Sequence, residues 1–309
     1  MKRITLGRTG LSVSRIAFGA GPVSGLMTGS DHDLQKATLA RAIEAGINWI
    51  DTAAGYGQGL SEANLGRALR ELSGQGYAST HLATKVRIDP ASPLDFSEQV
   101  RLSLQQSLAR LGCQQVTLLQ LHNGLTTRRG DQPASLSVDD VLKPQGAADA
   151  LQQMQQAGLA KFIGLTGTGS PDALRQVIRS DRFDTIQLPY NLLNPSAGQT
   201  MPEGFAEQDY GNILLDCKQH ALGVLAIRVL AGGALLGQAP SLHTLKTPYF
   251  PLELYTRDAQ RAANWQQQLP ANEWVRRALE FVWQHPAIHA AIIGFGTPDH
   301  VSAAIAAEA

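Results

Sequence analysis

The stretch "INWIDTAAGYG", residues 47–57, decides the reading of this chain. An apolar run, broken only by Asn48, leads straight into Asp51. Five residues later Tyr56 stands between Gly55 and Gly57. A short apolar run bounded by turn residues reads as a buried strand. Asp51 therefore ends a strand, and Tyr56 is presented by the glycine-hinged loop that follows.

The same punctuation recurs along the chain. Candidate strands are "RIAFG" (15–19), "INWID" (47–51), "HLATKV" (81–86), "VTLLQLH" (116–122), "FIGLT" (162–166), "FDTIQL" (183–188), "GVLAI" (223–227) and "HAAIIG" (289–294). Helical patterns lie between them. In "SEQVRLSLQQSLARLG" (97–112), Val100, Leu104, Leu108 and Leu111 fall at i, i+4, i+8 and i+11, with Gly112 as a stop signal. "SPDALRQVI" opens with Ser170 as an N-cap and Pro171 at the first helical position.

Strand–helix alternation through eight units predicts one (β/α)8 barrel domain over residues 1–309. The opening "ITLGRTGLSVS" does not fit such a unit and reads as a hairpin capping the barrel floor. The competing doubly wound sheet would carry a G-x-G-x-x-G loop after its first strand. Gly19 and Gly21 in "FGAGPVSG" match that only in part. Segment 123–146 is loop-like, and a loop of that length is expected to be functional or mobile.

Composition narrows the function. The 26 basic and 26 acidic residues cancel, which leaves no electrostatic reason to expect nucleic acid or an acidic membrane as partner. No run approaches the ~18 apolar residues that span a bilayer, and "MKRITLGRTG" lacks the apolar centre of a signal peptide. The expectation is a cytoplasmic protein. Cys113 and Cys217 form no disulfide framework or metal pattern and read as small core hydrophobes; no metal is expected.

In a (β/α)8 barrel the active site lies at the C-terminal ends of the strands. Asp51 and Lys85 end two candidate strands, Tyr56 follows the first of these, and His122 ends the next. A free tyrosine, with a pKa of about 10, is a poor acid or base at neutral pH. An ammonium beside a phenol favours the phenolate. Asp51 is placed to keep Lys85 charged, and His122 to hydrogen-bond the substrate oxygen to which Tyr56 gives a proton. Each residue alone has a plainer use: Asp51 as a helix cap, Tyr56 as a rim aromatic, Lys85 as a solvated strand end, His122 as a core histidine.

Taken in order, "GINWIDTAAGYG", "SEANLGRAL", "ATKV" and "SLARLGCQQVTLLQLH" resemble the aldo-keto reductase superfamily, and the resemblance runs through nearly the whole chain. It puts the family's catalytic tetrad on Asp51, Tyr56, Lys85 and His122. It implies hydride transfer between a nicotinamide cofactor, NAD or NADP, and a carbonyl or alcohol carbon, with the cofactor bound first. Tyr56 is then the general acid in reduction and the base in oxidation. The cofactor contacts that follow are Gly19, Ala20, Asp51, Thr166, Gln187, Ile227, Arg228, Leu230, Gly232, Gly294, Gly296, Thr297 and His300.

The chain also departs from the family. After the fifth strand the usual Gly-Val-Ser-Asn is Gly164-Leu165-Thr166-Gly167: Thr166 keeps a hydroxyl, and Gly167 supplies no amide for the carboxamide. Gln187 matches the glutamine that orients that carboxamide, and Asn191 is equally a turn residue. Ile227 and Arg228 stand where an aromatic and a serine are usual, so ring stacking on the nicotinamide is lost or replaced. Leu230, Ala231 and Gly232 offer backbone N–H groups to a pyrophosphate, unless Gly232–Gly233 is only a tight turn. No Lys or Arg occurs from Gly294 onward, which argues against strict NADP preference. "IGLTG" (163–167) is similar to the branch that oxidises aldoses at C1 with NAD. The long C-terminal substrate loop of many members is short or absent, so an open mouth suited to sugars is expected, shaped by Trp49, Asn123 and segment 123–146. "TPYFPLELY" (247–255) reads as a packed surface loop before a lid. Two rivals remain: a non-catalytic nicotinamide-sensing subunit, as some relatives are, and a lyase using Lys85 as a Schiff-base amine.

Overall fold

All eight apolar runs form strands in the computed structural model, which describes residues 1–72 and 80–308. β1 (Arg3–Thr5) and β2 (Ser12–Ser14) pair antiparallel as the expected hairpin. β3 (Ile16–Gly19), β4 (Trp49–Asp51), β5 (His81–Val86) and β6 (Val116–Leu121) begin the barrel. β7 (Leu125–Thr126) and β8 (Leu136–Ser137) form a small separate pair. β9 (Ala160–Thr166), β10 (Thr185–Pro189), β11 (Gly223–Ile227) and β12 (Ala290–Gly294) complete the barrel. The strands are parallel in the order β3-β4-β5-β6-β9-β10-β11-β12, and β12 closes onto β3. This is a (β/α)8 barrel with a β-hairpin at its N-terminus.

The helices are α1 (His32–Glu44), α2 (Leu60–Glu71), α3 (Phe96–Leu111), α4 (Val138–Leu142), α5 (Ala147–Gln156), α6 (Pro171–Arg179), α7 (Leu214–Gln219), α8 (Leu252–Gln266), α9 (Ala271–Gln284) and α10 (Pro298–Ala306). α3 starts one residue before the expected helix because Asp95 caps it, accepting from the Glu98 N–H, and Gly112 ends it at φ 69°. α6 begins at Pro171 as expected, but the Ser170 side chain makes no capping bond.

Side chains alternate along a strand with period two, which builds the barrel interior in layers. The lowest layer is apolar: Ala17, Trp49, Ala83, Leu118, Leu225 and Ala290 pack together, and Leu6 and Val13 of the hairpin region close it from below. Trp49, fully buried among alanines, is thus the floor and does not shape the pocket. Two residues further along their strands, on the same inward face, come Asp51 above Trp49, Lys85 above Ala83 and Gln120 above Leu118. Gly164 makes room at this level, since a Cβ there would meet Thr185 Oγ1 at 2.2 Å. The outer faces of the strands, Phe18 and Ile50 among them, bury against the helices in a second apolar shell.

Segment 123–146 is more structured than a loop. It holds β7, β8 and α4, and α4 opens with a capping box between Ser137 and Asp140. The Arg129 guanidinium beside Asp140 holds that buried carboxyl down at about pKa 2. Asn123 serves as an anchor for this excursion: its side chain bonds the Ile88 N–H (2.9 Å), the Ile88 carbonyl (2.8 Å) and the Ala134 carbonyl (2.7 Å). Cys217 is fully buried and burial pushes its thiol up to about 12, the behaviour of a core hydrophobe.

Candidate active site

Asp51 lies at the centre of the polar layer. The loop beyond it stays pinned to β5, with Thr52 N–H on the Ala83 carbonyl (2.9 Å) and Ala54 N–H on the Lys85 carbonyl (3.2 Å). The chain then turns tightly through Tyr56–Gly59, where Gly57 and Gln58 both have positive φ, 57° and 55°. A glycine at 57 accepts that conformation without strain. The turn aims the Tyr56 ring back over the strand ends, where it meets His122 in a T-shaped contact (centroids 5.6 Å apart, planes at 81°).

Lys85 is buried beneath. Its Nζ donates to Asp51 Oδ1 (2.5 Å), to the Thr52 carbonyl (2.9 Å) and to the Tyr56 hydroxyl (3.1 Å). Those three acceptors take all three ammonium protons. Burial opposes the charge, but Asp51 and then Tyr56 outweigh it and hold the Lys85 pKa above its ordinary value. A lysine so held is no Schiff-base nucleophile, which removes the lyase alternative's reactive amine. The other Asp51 oxygen accepts from Gln187 Nε2 (2.5 Å) and Gln120 Nε2 (3.2 Å). The His122 backbone is held by its main-chain N–H on the Val86 carbonyl (2.8 Å). Burial, reinforced by the Lys85 and Arg87 charges, lowers the His122 pKa well below its ordinary value, so the ring is neutral. A neutral imidazole can donate to a carbonyl oxygen without competing for the proton.

Above this group opens a cavity of about 700 Å³, within the ordinary range for ligand and cofactor sites. Of the residues expected around it, Gly19, Asp51, Tyr56, His122, Thr166, Gln187, Ile227, Arg228, Leu230, Gly232, Gly294, Gly296 and His300 line it. Three do not. Lys85 lies behind Asp51 and Tyr56. Ala20 is fully buried, its carbonyl accepting from Ser61 Oγ at 2.7 Å. Thr297 faces its own helix as the N-cap of α10, accepting from the His300 N–H. Asn191 is a turn residue whose side chain bonds the Leu193 and Asn194 N–H groups and the Arg228 carbonyl.

The residues present suit a bound dinucleotide. Thr166 Oγ1 and Ser24 Oγ are buried, line the cavity and have no hydrogen-bond partner. An orphaned buried hydroxyl is costly unless a ligand satisfies it. A side chain at position 167 would crowd its neighbours, since a Cβ there would meet Leu188 Cδ2 at 2.4 Å. At the exit of β11, Arg228 adopts φ 56° and turns its guanidinium to Asp258 (2.6 Å) under the Phe250 ring (4.7 Å).

Of the roof, sequence reasoning reached only 247–255, as the lesser reading, and missed the residues before it. Residues 238–250 cross the cavity, where Gln238, His243, Lys246, Tyr249 and Phe250 are among its lining. Tyr249 stacks on Arg87 (4.2 Å) and its hydroxyl reaches the Pro133 carbonyl (3.5 Å). The mouth is therefore strapped and not open, and "TPYFPLELY" contributes to that strap before running into α8. The two aromatics flanked by prolines were the available signal. Ser24, Thr168 and Lys246 carried none.

A family model described as the aldo/keto reductase family matches residues 15–309. The chain belongs to that family. Its relatives include D-threo-aldose 1-dehydrogenase of a Pseudomonas species, 29% identical over 94% of this chain and 87% of that protein. L-galactose dehydrogenase of Arabidopsis thaliana is 27% identical, over 98% of this chain and 86% of its own length. Among solved structures, a putative aldo-keto reductase from Pseudomonas aeruginosa superposes with a TM-score of 0.66 at 25% identity, covering 99% of this chain and 95% of that one. The holo form of an aldo-keto reductase from Bacillus halodurans has a TM-score of 0.72 at 22% identity, covering 100% and 91%, and shares the fold. This aldo-keto reductase is thus an oxidoreductase of the family's type, and no helix among its described residues is long and apolar enough to cross a membrane.

Proposed function

We propose that this aldo-keto reductase moves a hydride between a nicotinamide cofactor and the carbonyl or lactol carbon of a small polar aldehyde or sugar, with Tyr56 as general acid and base. The observation that carries this is the single ammonium of Lys85 joining Asp51 Oδ1 (2.5 Å) to the Tyr56 hydroxyl (3.1 Å) at the bottom of the cavity. Held there, Lys85 stabilises negative charge as it develops on the phenol oxygen. In reduction Tyr56 gives its proton to the substrate oxygen, and neutral His122 donates a hydrogen bond to that oxygen. In oxidation Tyr56 takes the hydroxyl proton back. The nicotinamide, when bound, supplies or accepts the hydride. Thr166 and Gln187 would hold its carboxamide end, and the Leu230–Gly232 backbone and the wall of Gly294, Gly296 and His300 would hold its phosphate end.

The sugar reading rests on the two aldose and galactose dehydrogenases among the relatives. Cofactor preference is balanced. No cation follows β12, whereas Lys246 faces the cavity from the strap. Two unbridged cysteines suit the reducing cytoplasm as its location.

Calorimetric titration of the pure protein with NADH and, separately, NADPH tests the reading, followed by turnover with glyceraldehyde and with aldoses. Binding of either cofactor with turnover supports it. Binding without turnover on any carbonyl favours the nicotinamide-sensing alternative, and no binding of either overturns the proposal.

A further inference from the structure

Arg87 follows β5 directly; its charge helps keep His122 neutral, and it makes no hydrogen bond to the side chains of the proton-transfer group. It lies at the substrate end of the cavity, with Nη2 3.5 Å from the carbonyl oxygen of His122. Its guanidinium packs on the Tyr249 ring at 4.2 Å and donates to the Tyr249 hydroxyl. Tyr249 in turn reaches Pro133. Three segments therefore meet on Arg87: the loop after β5, the excursion after β6 and the strap.

The charge balance there is uneven. The one carboxylate lining the cavity among the described residues is Asp51, and Lys85 neutralises it. Arg228 is matched by Asp258. Arg87 faces no carboxylate within ion-pair distance among the described residues. A guanidinium carries five N–H donors in a planar fork that matches a carboxylate or phosphate. Stacking on Tyr249 fixes the plane of that fork and leaves donors unspent. Arg87 is exposed, so water answers its charge in the free protein, but its plane is fixed at the cavity and its unspent donors can be turned over to an anionic ligand without reorganisation.

Resting on the hydride-transfer reading above, we propose that Arg87 is a specificity-determining residue that binds an anionic group, a phosphate ester or a carboxylate, carried by the carbonyl substrate. Neutral aldehydes then leave the guanidinium to water and bind less tightly.

The test compares kcat/KM for glyceraldehyde 3-phosphate against glyceraldehyde, and for succinate semialdehyde against butyraldehyde, in wild type, Arg87→Gln and Arg87→Lys. The wild type should favour the anionic member of at least one pair by tenfold or more, mainly through KM. The pair that shows it identifies phosphate or carboxylate. Arg87→Gln should cut that ratio at least tenfold, Arg87→Lys should retain part of it, and added salt should shrink it. A wild-type ratio near one in both pairs, with neutral aldehydes still reduced, overturns the anion inference and leaves hydride transfer standing. Equal loss on both members of a pair in Arg87→Gln overturns it too, because it makes Arg87 only a prop for the strap. No reduction of any aldehyde by cofactor-bound enzyme overturns the hydride-transfer reading and this inference with it.

Discussion

Gln187 on β10 donates its amide across the barrel to Asp51 on β4, four strands away around the wall, at 2.5 Å. A carboxylate only accepts, so the NH₂ end of Gln187 is committed to Asp51 and its amide oxygen is the end left for a ligand's donor. Gln187 was expected to orient the cofactor's carboxamide. It is also a strut that fixes Asp51, the counter-charge of Lys85. Removing that charge is accordingly expensive. Asp51→Asn places an amide among three donors and leaves a fully buried ammonium uncompensated. The cost should be about 3–5 kcal/mol, as for other broken buried pairs. Chemical denaturation of the variant against wild type measures it, and an unchanged midpoint would show that Lys85 does not depend on Asp51 for its charge.

Tyr56 carries the proton in the proposed chemistry and little of the fold, being half-buried on a turn. Tyr56→Phe keeps the ring against His122 and removes only the oxygen. General acid–base contributions are worth about 10²–10⁴ in rate. Turnover should fall by at least about 10², while calorimetric affinity for the reduced cofactor stays within about twofold. Turnover close to wild type would remove Tyr56 from the proton path.

The barrel and the meeting of Asp51, Tyr56, Lys85 and His122 at one end of it were legible because each rests on short-range pattern. Parallel strands buried on both faces read as apolar runs, and polar residues ending them stand out at Asp51, Lys85 and His122. What was not legible depends on distant partners. Trp49 stands two residues before Asp51 yet belongs to the floor, because its place is decided by the alanines at 17, 83 and 290. Ala20 and Thr297 sit beside true lining residues but face the protein. The strap was legible only as the lesser reading of "TPYFPLELY", because nothing local there says that Tyr249 will find Arg87, 162 positions away. Gly167 stands where the family's asparagine is usual, and a Cβ there would have to displace the Leu188 side chain.

Thr166 lines the cavity, and its Oγ1 is buried without a partner. A hydroxyl in that state costs the empty protein and gains a bond when a ligand arrives. Thr166→Val, of similar shape, should leave the free enzyme as stable or slightly more stable. It should weaken cofactor binding by about 0.5–1.5 kcal/mol, the net worth of one hydrogen bond, or roughly 2- to 12-fold in Kd. Melting curves with and without cofactor measure both effects. Wild-type affinity in the variant would place the cofactor's carboxamide away from Thr166.

Five of the eight histidines have lowered pKa values: His81, His122, His243, His285 and His289. Burial is the main cause in each, with nearby cations adding at His81, His122, His285 and His289. Above about pH 6.5 these rings are neutral in both folded and unfolded chains, so the whole of this stability is present. As the pH falls further, the unfolded chain binds protons that the folded chain refuses until its lowered pKa values are reached, and stability declines. The melting temperature should therefore drop between pH 7 and pH 5, well above the range where carboxylates protonate. A flat profile across that interval would mean that the folded rings titrate like free histidine.

His300 lines the cavity from the first turn of α10, its Nδ1 accepting from the Gly296 N–H (3.2 Å). That ring is the one titratable nitrogen this segment offers to a 2′-phosphate, since no Lys or Arg occurs from Gly294 onward. Helix N-terminal N–H groups favour an anion there, but without a fixed cation the attraction is modest. Replacing the imidazole with a guanidinium adds a permanent charge and a bidentate donor. Charge-assisted hydrogen bonds are worth about 1.5–3 kcal/mol, or roughly 10- to 150-fold in Kd. His300→Arg should therefore raise affinity for NADPH over NADH at least about tenfold, and the gain should fade with salt. Paired titrations of variant and wild type at low and high ionic strength measure it. An unchanged NADPH/NADH ratio would move the 2′-phosphate away from α10 and toward the strap, where Lys246 is the cation to vary next.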